Sequence, residues 1–390
     1  MQGQRRERIP HTFLPWIAGI GFFAGCAGIL ATAARPASVA PKPVGLAATE
    51  SSAESTYPFE VRAPFHAGLF HWLDSIAGTS GGKTIPVYRK EFARRFSPTL
   101  DDRSSIRAFR EARVFYADGG VSQSAADARL EAQKASGMTG APSQAGPASF
   151  PPHGYSSMLG VFLETDSLEA SLARLGTETD GAHLSALTHA LESFKTRYRS
   201  IWGEAHYLPK FVADLDQPGN HRPIEKYLAE MARFFGVSAT DPPRPRLILV
   251  PVPPGDGTHA QAVGVNLLLE IRPGDKPLDQ ISVIAHENAH FLFERIPQER
   301  RHRLEEAAIA AASQGREVWE LLHEALPTAL GQGVAQARTH PLHFTLDDPW
   351  YHIPAVDRLA KKIYPIVEQA MDEGRPLDES LVTAMVRAGR

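Results

Sequence analysis

The stretch that decides the fold of this chain is ISVIAHENAHFLFE, residues 281–294, which places a His-Glu-x-x-His motif at His286, Glu287 and His290. A separation of four residues puts both imidazoles on one face of an α-helix, about one turn apart, so that both can bind a single Zn²⁺ ion. Glu287 lies about 100° round the same helix, where its carboxylate can reach a water molecule without binding the metal. The stretch therefore predicts a helix that presents a metal site.

Two apolar segments precede this helix and predict β-strands. Residues 247–250 are apolar and partly β-branched, and residues 262–271 alternate with a period of two. We interpret them as a two-stranded unit of a small sheet. The arc of the helix opposite the histidines is apolar, so the helix can pack into a core while the histidines face a cleft.

A catalytic zinc site needs a third protein ligand and keeps one position for water. The residue six positions after His290 is Ile296, so the extended motif that supplies a third histidine is absent. A helix predicted over residues 317–330 offers three carboxylates instead, those of Glu317, Glu320 and Glu324. Glu320 points away from the apolar stripe of this helix, whereas Glu317 and Glu324 flank it. We choose Glu324, because small residues after it permit close helix packing, and Glu317 stays the alternative.

The motif followed by a helical glutamate resembles the gluzincin branch of zinc-dependent metallopeptidases. The resemblance covers about residues 247–330 and identifies no closer family. It implies a zincin-like catalytic domain that binds one Zn²⁺ per chain through His286, His290 and Glu324. Glu287 is then the general base that takes a proton from the attacking water and delivers it to the departing amine.

The chain departs from two subfamilies of this group. Thr328 stands where thermolysin-like members carry an aspartate that orients the first histidine, and the G-x-M-E-N signature of the aminopeptidases is missing. The resemblance therefore supplies no orienting partner for His286.

The resemblance also implies an oxyanion donor and a binding edge for the substrate. Tyr351 and His352 are the candidate donors. Substrate is expected along an exposed sheet edge formed by residues 262–271, where Gly264 lets a backbone approach closely.

The amino terminus predicts export from the cytoplasm. A basic start over residues 5–8 precedes an uncharged apolar stretch over residues 13–34. Three interpretations stay open: cleavage after residues 31–33, retention as a membrane anchor, and lipidation at Cys26 within a partial lipobox. We expect a periplasmic or cell-envelope protein that contacts the membrane through this segment.

Composition bounds the remaining classes. The 390 residues are 43% hydrophobic and 22% charged with a net charge of −3, which is typical of soluble globular proteins and gives no electrostatic footprint for nucleic acid. Cys26 is the only cysteine, so a Cys-based zinc site is excluded. His66 and His71 lack the spacing of a ligand pair and are interpreted as core or surface residues.

We expect a mostly helical α+β fold. Residues 1–34 are expected to be a signal peptide or membrane anchor, and residues 35–58 a disordered tether. Residues 59–236 are expected to form a helical N-terminal domain with a flexible loop over residues 117–152. Residues 237–390 are expected to form a zincin-like catalytic domain with a helical tail. The expected function is an exported or membrane-anchored zinc metallopeptidase that acts on peptides or proteins. A zinc hydrolase of a non-peptide envelope substrate and a non-catalytic envelope interaction protein stay open as alternatives.

Overall fold

The computed structural model describes residues 59–117, 155–177, 179–238, 244–342 and 344–389. The expected signal or anchor, the tether and all but the first residue of the expected flexible loop (residues 117–152) lie outside these ranges. The described part is mostly helical and contains one small mixed sheet, so the expected α+β class is confirmed. None of its helices combines the length and apolar character needed to cross a membrane.

Helices dominate the first half of the described chain. A short strand comes first and is followed by six helices: β1 (Glu60–Arg62), α1 (Phe65–Ala77), α2 (Ile85–Phe96), α3 (Leu100–Ala117), α4 (Tyr155–Glu164), α5 (Leu168–Leu175) and α6 (Gly181–Glu204). Gly78 ends α1 in the left-handed conformation, and the Asp180 carboxylate caps α6 by accepting hydrogen bonds from two backbone N–H groups. The glycine-rich loop at residues 78–82 joins α1 to α2.

The second half contains the rest of the sheet and the helices of the candidate site. Its elements are α7 (Tyr207–Leu215), α8 (Pro218–Phe235), β2 (Arg246–Pro251), β3 (Ala260–Val263), β4 (Asn266–Ile271), a 3₁₀ turn (Pro277–Gln280), α9 (Ile281–Glu294), α10 (Gln298–Ala311), α11 (Gly315–Thr328), a π-helix (Ala329–Ala335), α12 (Gln336–Thr339), α13 (Pro354–Asp372) and α14 (Glu379–Ala388). The C-terminal tail, which is expected to be helical, consists of α13 and α14, separated by residues 373–378.

The sheet has the strand order β1-β2-β4-β3, with β1, β2 and β4 parallel and β3 antiparallel to β4 at the edge. The single strand expected over residues 262–271 is wrong, because the chain reverses at Gly264, whose φ of 59° an L side chain rarely adopts. The period-two pattern continues across this tight turn. It also does not mark a solvated face, since every residue of β4 is buried.

Both faces of the sheet are covered by helices. Leu247, Leu249 and Leu267 pack into a core with residues of α7 to α14, whereas Ile248 and Leu268 pack into a second core with residues of α1 to α6. The two halves of the chain therefore share one sheet, and their division at residue 237 stays a prediction. The helix α9 lies in the first core, directly against β3 and β4.

Candidate metal centre

Two histidines of α9 and one glutamate of α11 converge on a single point. The Nε2 atoms of His286 and His290 lie 3.2 Å apart. Oε2 of Glu324 lies 3.5 Å from Nε2 of His286 and 3.7 Å from Nε2 of His290. Within the described ranges, this is the one trio of histidine, cysteine or acidic side chains whose ligand atoms all fall within 4.8 Å of one another.

The spacing of these atoms fits a zinc ion. Bonds of 2.0 to 2.1 Å in a tetrahedral arrangement place ligand atoms about 3.3 to 3.4 Å apart. The measured separations of 3.2, 3.5 and 3.7 Å bracket that value. Two imidazoles and one carboxylate are also a ligand set that catalytic zinc uses.

The structure distinguishes between the candidate third ligands. Glu324 joins the two histidines, whereas Glu317 and Glu320 are exposed and do not belong to the trio. Glu317 lies in the first turn of α11, two turns away from the position of Glu324. The geometry therefore favours Glu324 over Glu317 as the third ligand.

A close approach between helices brings Glu324 to the histidines. A Cβ atom on Gly331 would lie 2.2 Å from the carbonyl oxygen of Ser282 and 3.2 Å from Cβ of His286. Glycine therefore lets the π-helix lie directly on α9. The same π-helix is held from its other side, because the hydroxyl of Tyr227 donates a hydrogen bond of 2.6 Å to the carbonyl of Leu330.

The sequence predicts the small residues of this contact, but the π-helix was not predicted from it. Two features of the sequence could have indicated the π-helix: Pro327, which lacks a backbone N–H, and the Gly-Gln-Gly triplet at residues 331–333. Single π turns within helices are frequent at functional sites.

Glu287 lies beside the trio and is held by the edge strand. It is 6% exposed, and its Oε2 accepts a hydrogen bond of 2.7 Å from the backbone N–H of Ala262 in β3. Burial raises the pKa of Glu287 and the charge of Glu324 acts in the same direction, although the two histidines and Ala262 oppose them. The carboxylate therefore holds a proton more readily than an ordinary glutamate does.

Charge complementarity stabilises the trio. Burial alone would raise the pKa of Glu324, but hydrogen bonds and charge from His286 and His290 outweigh it and hold the pKa well below its usual range. For His290, burial acts to lower the pKa, yet the contact with Glu324 raises it overall. Glu324 is therefore an anion, the form in which a carboxylate binds a metal.

Tyr351 and His352 occupy different positions relative to the centre. The hydroxyl of Tyr351 donates a hydrogen bond of 2.9 Å to Oε2 of Glu324, and its ring stacks on that of His286 at 6.1 Å. Burial and the Glu324 charge raise the pKa of Tyr351, which keeps its hydroxyl a donor. His352 is exposed and its ring lies 4.7 Å from that of Tyr351. The oxyanion role of either residue stays a prediction.

The resemblance supplies no orienting partner for His286, and the surroundings of its ring show whether the structure provides one. Its Nδ1 is buried and makes no hydrogen bond within the described structure. Thr328 does not fill this role, because its hydroxyl donates to the carbonyl oxygen of Glu324 at 2.7 Å. This agrees with the absence of an aspartate at position 328.

Comparison with family models, with curated proteins and with solved structures finds no match for this chain. Any functional conclusion must therefore come from the site itself, a buried trio of two histidines and a glutamate beside a buried carboxylate and an edge strand.

Proposed function

We propose that this chain is a zinc-dependent metallopeptidase of the gluzincin type. One observation carries the proposal: His286, His290 and Glu324 converge at zinc-ligand spacing while Glu287, beside them, is bound to the edge strand through Ala262. When bound, Zn²⁺ supplies a Lewis acid that polarises a carbonyl group and makes water more acidic.

The side chains of the centre have separate tasks. Glu287 accepts a proton from the attacking water and passes it to the leaving amine. Because Ala262 holds one oxygen of this carboxylate, its orientation is set before substrate arrives. Tyr351 donates its one hydroxyl proton to Glu324, so it can donate to the developing oxyanion only by leaving that contact, and His352 is the alternative donor.

The neighbouring strand supports a peptide as the substrate. β3 is the last strand of the sheet, so the backbone groups on its outer side are not used by the β3–β4 ladder. An extended peptide can add to such an edge through main-chain hydrogen bonds. The Ala262 contact shows that this edge faces Glu287, which would bring the scissile bond to the base.

The test uses purified protein beginning near Tyr57. We expect one zinc ion per chain by elemental analysis, and cleavage of a peptide library that a chelator abolishes and added zinc restores. The Glu287→Gln variant, prepared in the same way, controls for contaminating peptidases. Zinc without cleavage would support a hydrolase of another envelope substrate, and a protein without zinc would support a non-catalytic scaffold. Either result contradicts the proposal.

We also propose that the protein acts outside the cytoplasm, attached or released through residues 1–34. The full-length chain should fractionate with membranes or with the cell envelope. Cys26→Ser should block maturation only if the chain is a lipoprotein. Full-length protein found free in the cytoplasm with an intact amino terminus would contradict this localisation.

A further inference from the structure

A buried polar cluster lies on the face of the sheet that looks away from the metal centre. Glu270 of β4 is at its centre and uses both carboxylate oxygens. Oε1 accepts hydrogen bonds of 2.9 Å from Nε2 of His71 and 2.9 Å from the hydroxyl of Thr84. Oε2 accepts a hydrogen bond of 3.1 Å from the backbone N–H of His259. All four residues are at most 1% exposed, so the cluster is structural rather than open to a ligand.

The cluster contacts His259, the residue that directly precedes the edge strand β3. His259 immediately precedes β3, and its carbonyl accepts a hydrogen bond of 3.0 Å from the backbone N–H of Glu270. Its ring stacks on that of His71, 5.3 Å away at an angle of 9°. A Cβ atom on Gly82 would lie 3.1 Å from the same ring. The ring of His259 is therefore held by the layer that contains α1 and α2, whereas its backbone is held by Glu270 of β4.

The position of His259 sets which backbone groups of β3 face outward. In an antiparallel pair, successive residues point their N–H and C=O groups alternately toward and away from the partner strand. His259 points toward β4, so Ala262, three residues later, points away from it and meets Glu287. A slip by one residue would present Gln261 instead and would remove this hydrogen bond.

We propose that Glu270 is a positioning residue that locks the register of β3 and thereby holds the N–H of Ala262 on Glu287. Its effect on catalysis rests on the proposed function, whereas its effect on the strand does not. Glu270 acts from the opposite face of the sheet and touches none of the three proposed zinc ligands.

The test measures backbone hydrogen exchange, zinc affinity and turnover on the zinc-loaded protein. Glu270→Gln keeps the size of the side chain but replaces a carboxylate oxygen by an amide group that donates. We expect the hydrogen-exchange rate in peptides covering residues 259–263 to rise about tenfold relative to that of β2. A factor of about ten corresponds to the loss of one buried hydrogen bond. The kcat should fall about tenfold or more through the same displacement, while zinc affinity stays at the wild-type value.

A matched control separates register from general stability. His66→Leu removes a different hydrogen bond of α1, the one that His66 Nε2 donates to the carbonyl of Thr165 at 2.9 Å, and keeps all the hydrogen bonds of the Glu270 cluster. This variant should melt at a lower temperature with unchanged relative exchange at residues 259–263 and unchanged kcat. An equal rise in exchange in both variants would overturn the proposal.

Thr84→Val is the second variant, in case Glu270→Gln does not fold. It deletes one donor to Glu270 and should raise exchange in the same peptides by a smaller factor. Wild-type exchange at residues 259–263 in Thr84→Val, together with an unfolded Glu270→Gln or one with unaltered exchange, would contradict the proposal. A wild-type protein without peptidase activity contradicts the proposed function instead, and the exchange result still decides the role of Glu270.

Discussion

Tyr351 donates its hydroxyl hydrogen bond to Oε2 of Glu324, the same oxygen that faces Nε2 of both His286 and His290. The loop before α13 therefore reaches back to the candidate metal centre and contacts a candidate ligand. Hydrogen bonds of this kind orient a ligand and tune its affinity for the metal. Tyr351 accordingly has a contact that the sequence did not predict, beside its expected role as an oxyanion donor.

Tyr351→Phe should lower zinc affinity by about 10- to 100-fold, because the variant deletes the hydrogen bond to Glu324 and keeps the ring that stacks on His286. Competition against a chromogenic chelator measures the affinity. His352→Ala is the neighbouring control and should bind zinc as the wild type does. If Tyr351→Phe binds zinc normally but loses kcat, Tyr351 stabilises the oxyanion and does not position Glu324.

Glu324→Ala should lose most of its bound zinc, since it removes one of three converging ligand atoms. Glu317→Ala, an exposed glutamate of the same helix, should keep one zinc per chain and full activity. Elemental analysis after gel filtration compares the two. Zinc loss in Glu317→Ala with full zinc occupancy in Glu324→Ala would identify Glu317, and not Glu324, as the third ligand.

Glu287→Gln should retain one zinc ion and lose turnover by about 10²- to 10⁴-fold, the usual effect of removing a general base. The substitution changes almost no volume, and the amide oxygen can still accept the hydrogen bond from Ala262. The position of β3 should therefore stay unchanged. The measurement is kcat on a defined peptide together with zinc content. Wild-type turnover in this variant would exclude the zincin mechanism.

Gly331→Ala should separate the π-helix from α9, because its Cβ would lie 2.2 Å from a backbone oxygen. We expect a loss of about 1 to 3 kcal/mol in the free energy of unfolding, and weaker zinc binding as Glu324 moves away. Gly203→Ala is the control, because nothing lies within 4 Å of its Cβ position in α6. Denaturant unfolding and zinc titration test both variants, and equal stability in the two would refute the packing account.

His259 should make the protein less stable in acid. Burial lowers the pKa of His259 well below its usual value, and the charge of His71 acts in the same direction. Between this pKa and the unfolded value of about 6.5 the unfolded chain binds more protons, so the free energy of unfolding falls as the pH falls below about 6.5.

The matched variant is His259→Phe, which keeps a ring in the same place without the titration. From pH 7.5 to pH 5.5 the wild type should lose about 1.4 kcal/mol more in the free energy of unfolding than the variant does. Urea unfolding at the two pH values gives this difference. The same loss in both proteins would show that His259 is not the group responsible.

The sequence by itself determined the features whose causes are local. The spacing of His286 and His290 follows from the pitch of one helix, and glycines at positions 78 and 236 end their helices because they adopt positive φ without strain. The mostly helical class and the paired helices of the tail follow from the same short-range patterns.

Only the tertiary structure decided the features that depend on which surfaces meet. A helical pattern puts Glu317 and Glu324 on the same flank, and the choice between them needs the contact of Gly331 with α9. Likewise, a period of two continues unchanged through the turn at Gly264, and no local signal joins Glu270 to His71, 199 positions away along the chain. These relationships arise from packing between distant segments, whose free energy no single stretch of sequence contains.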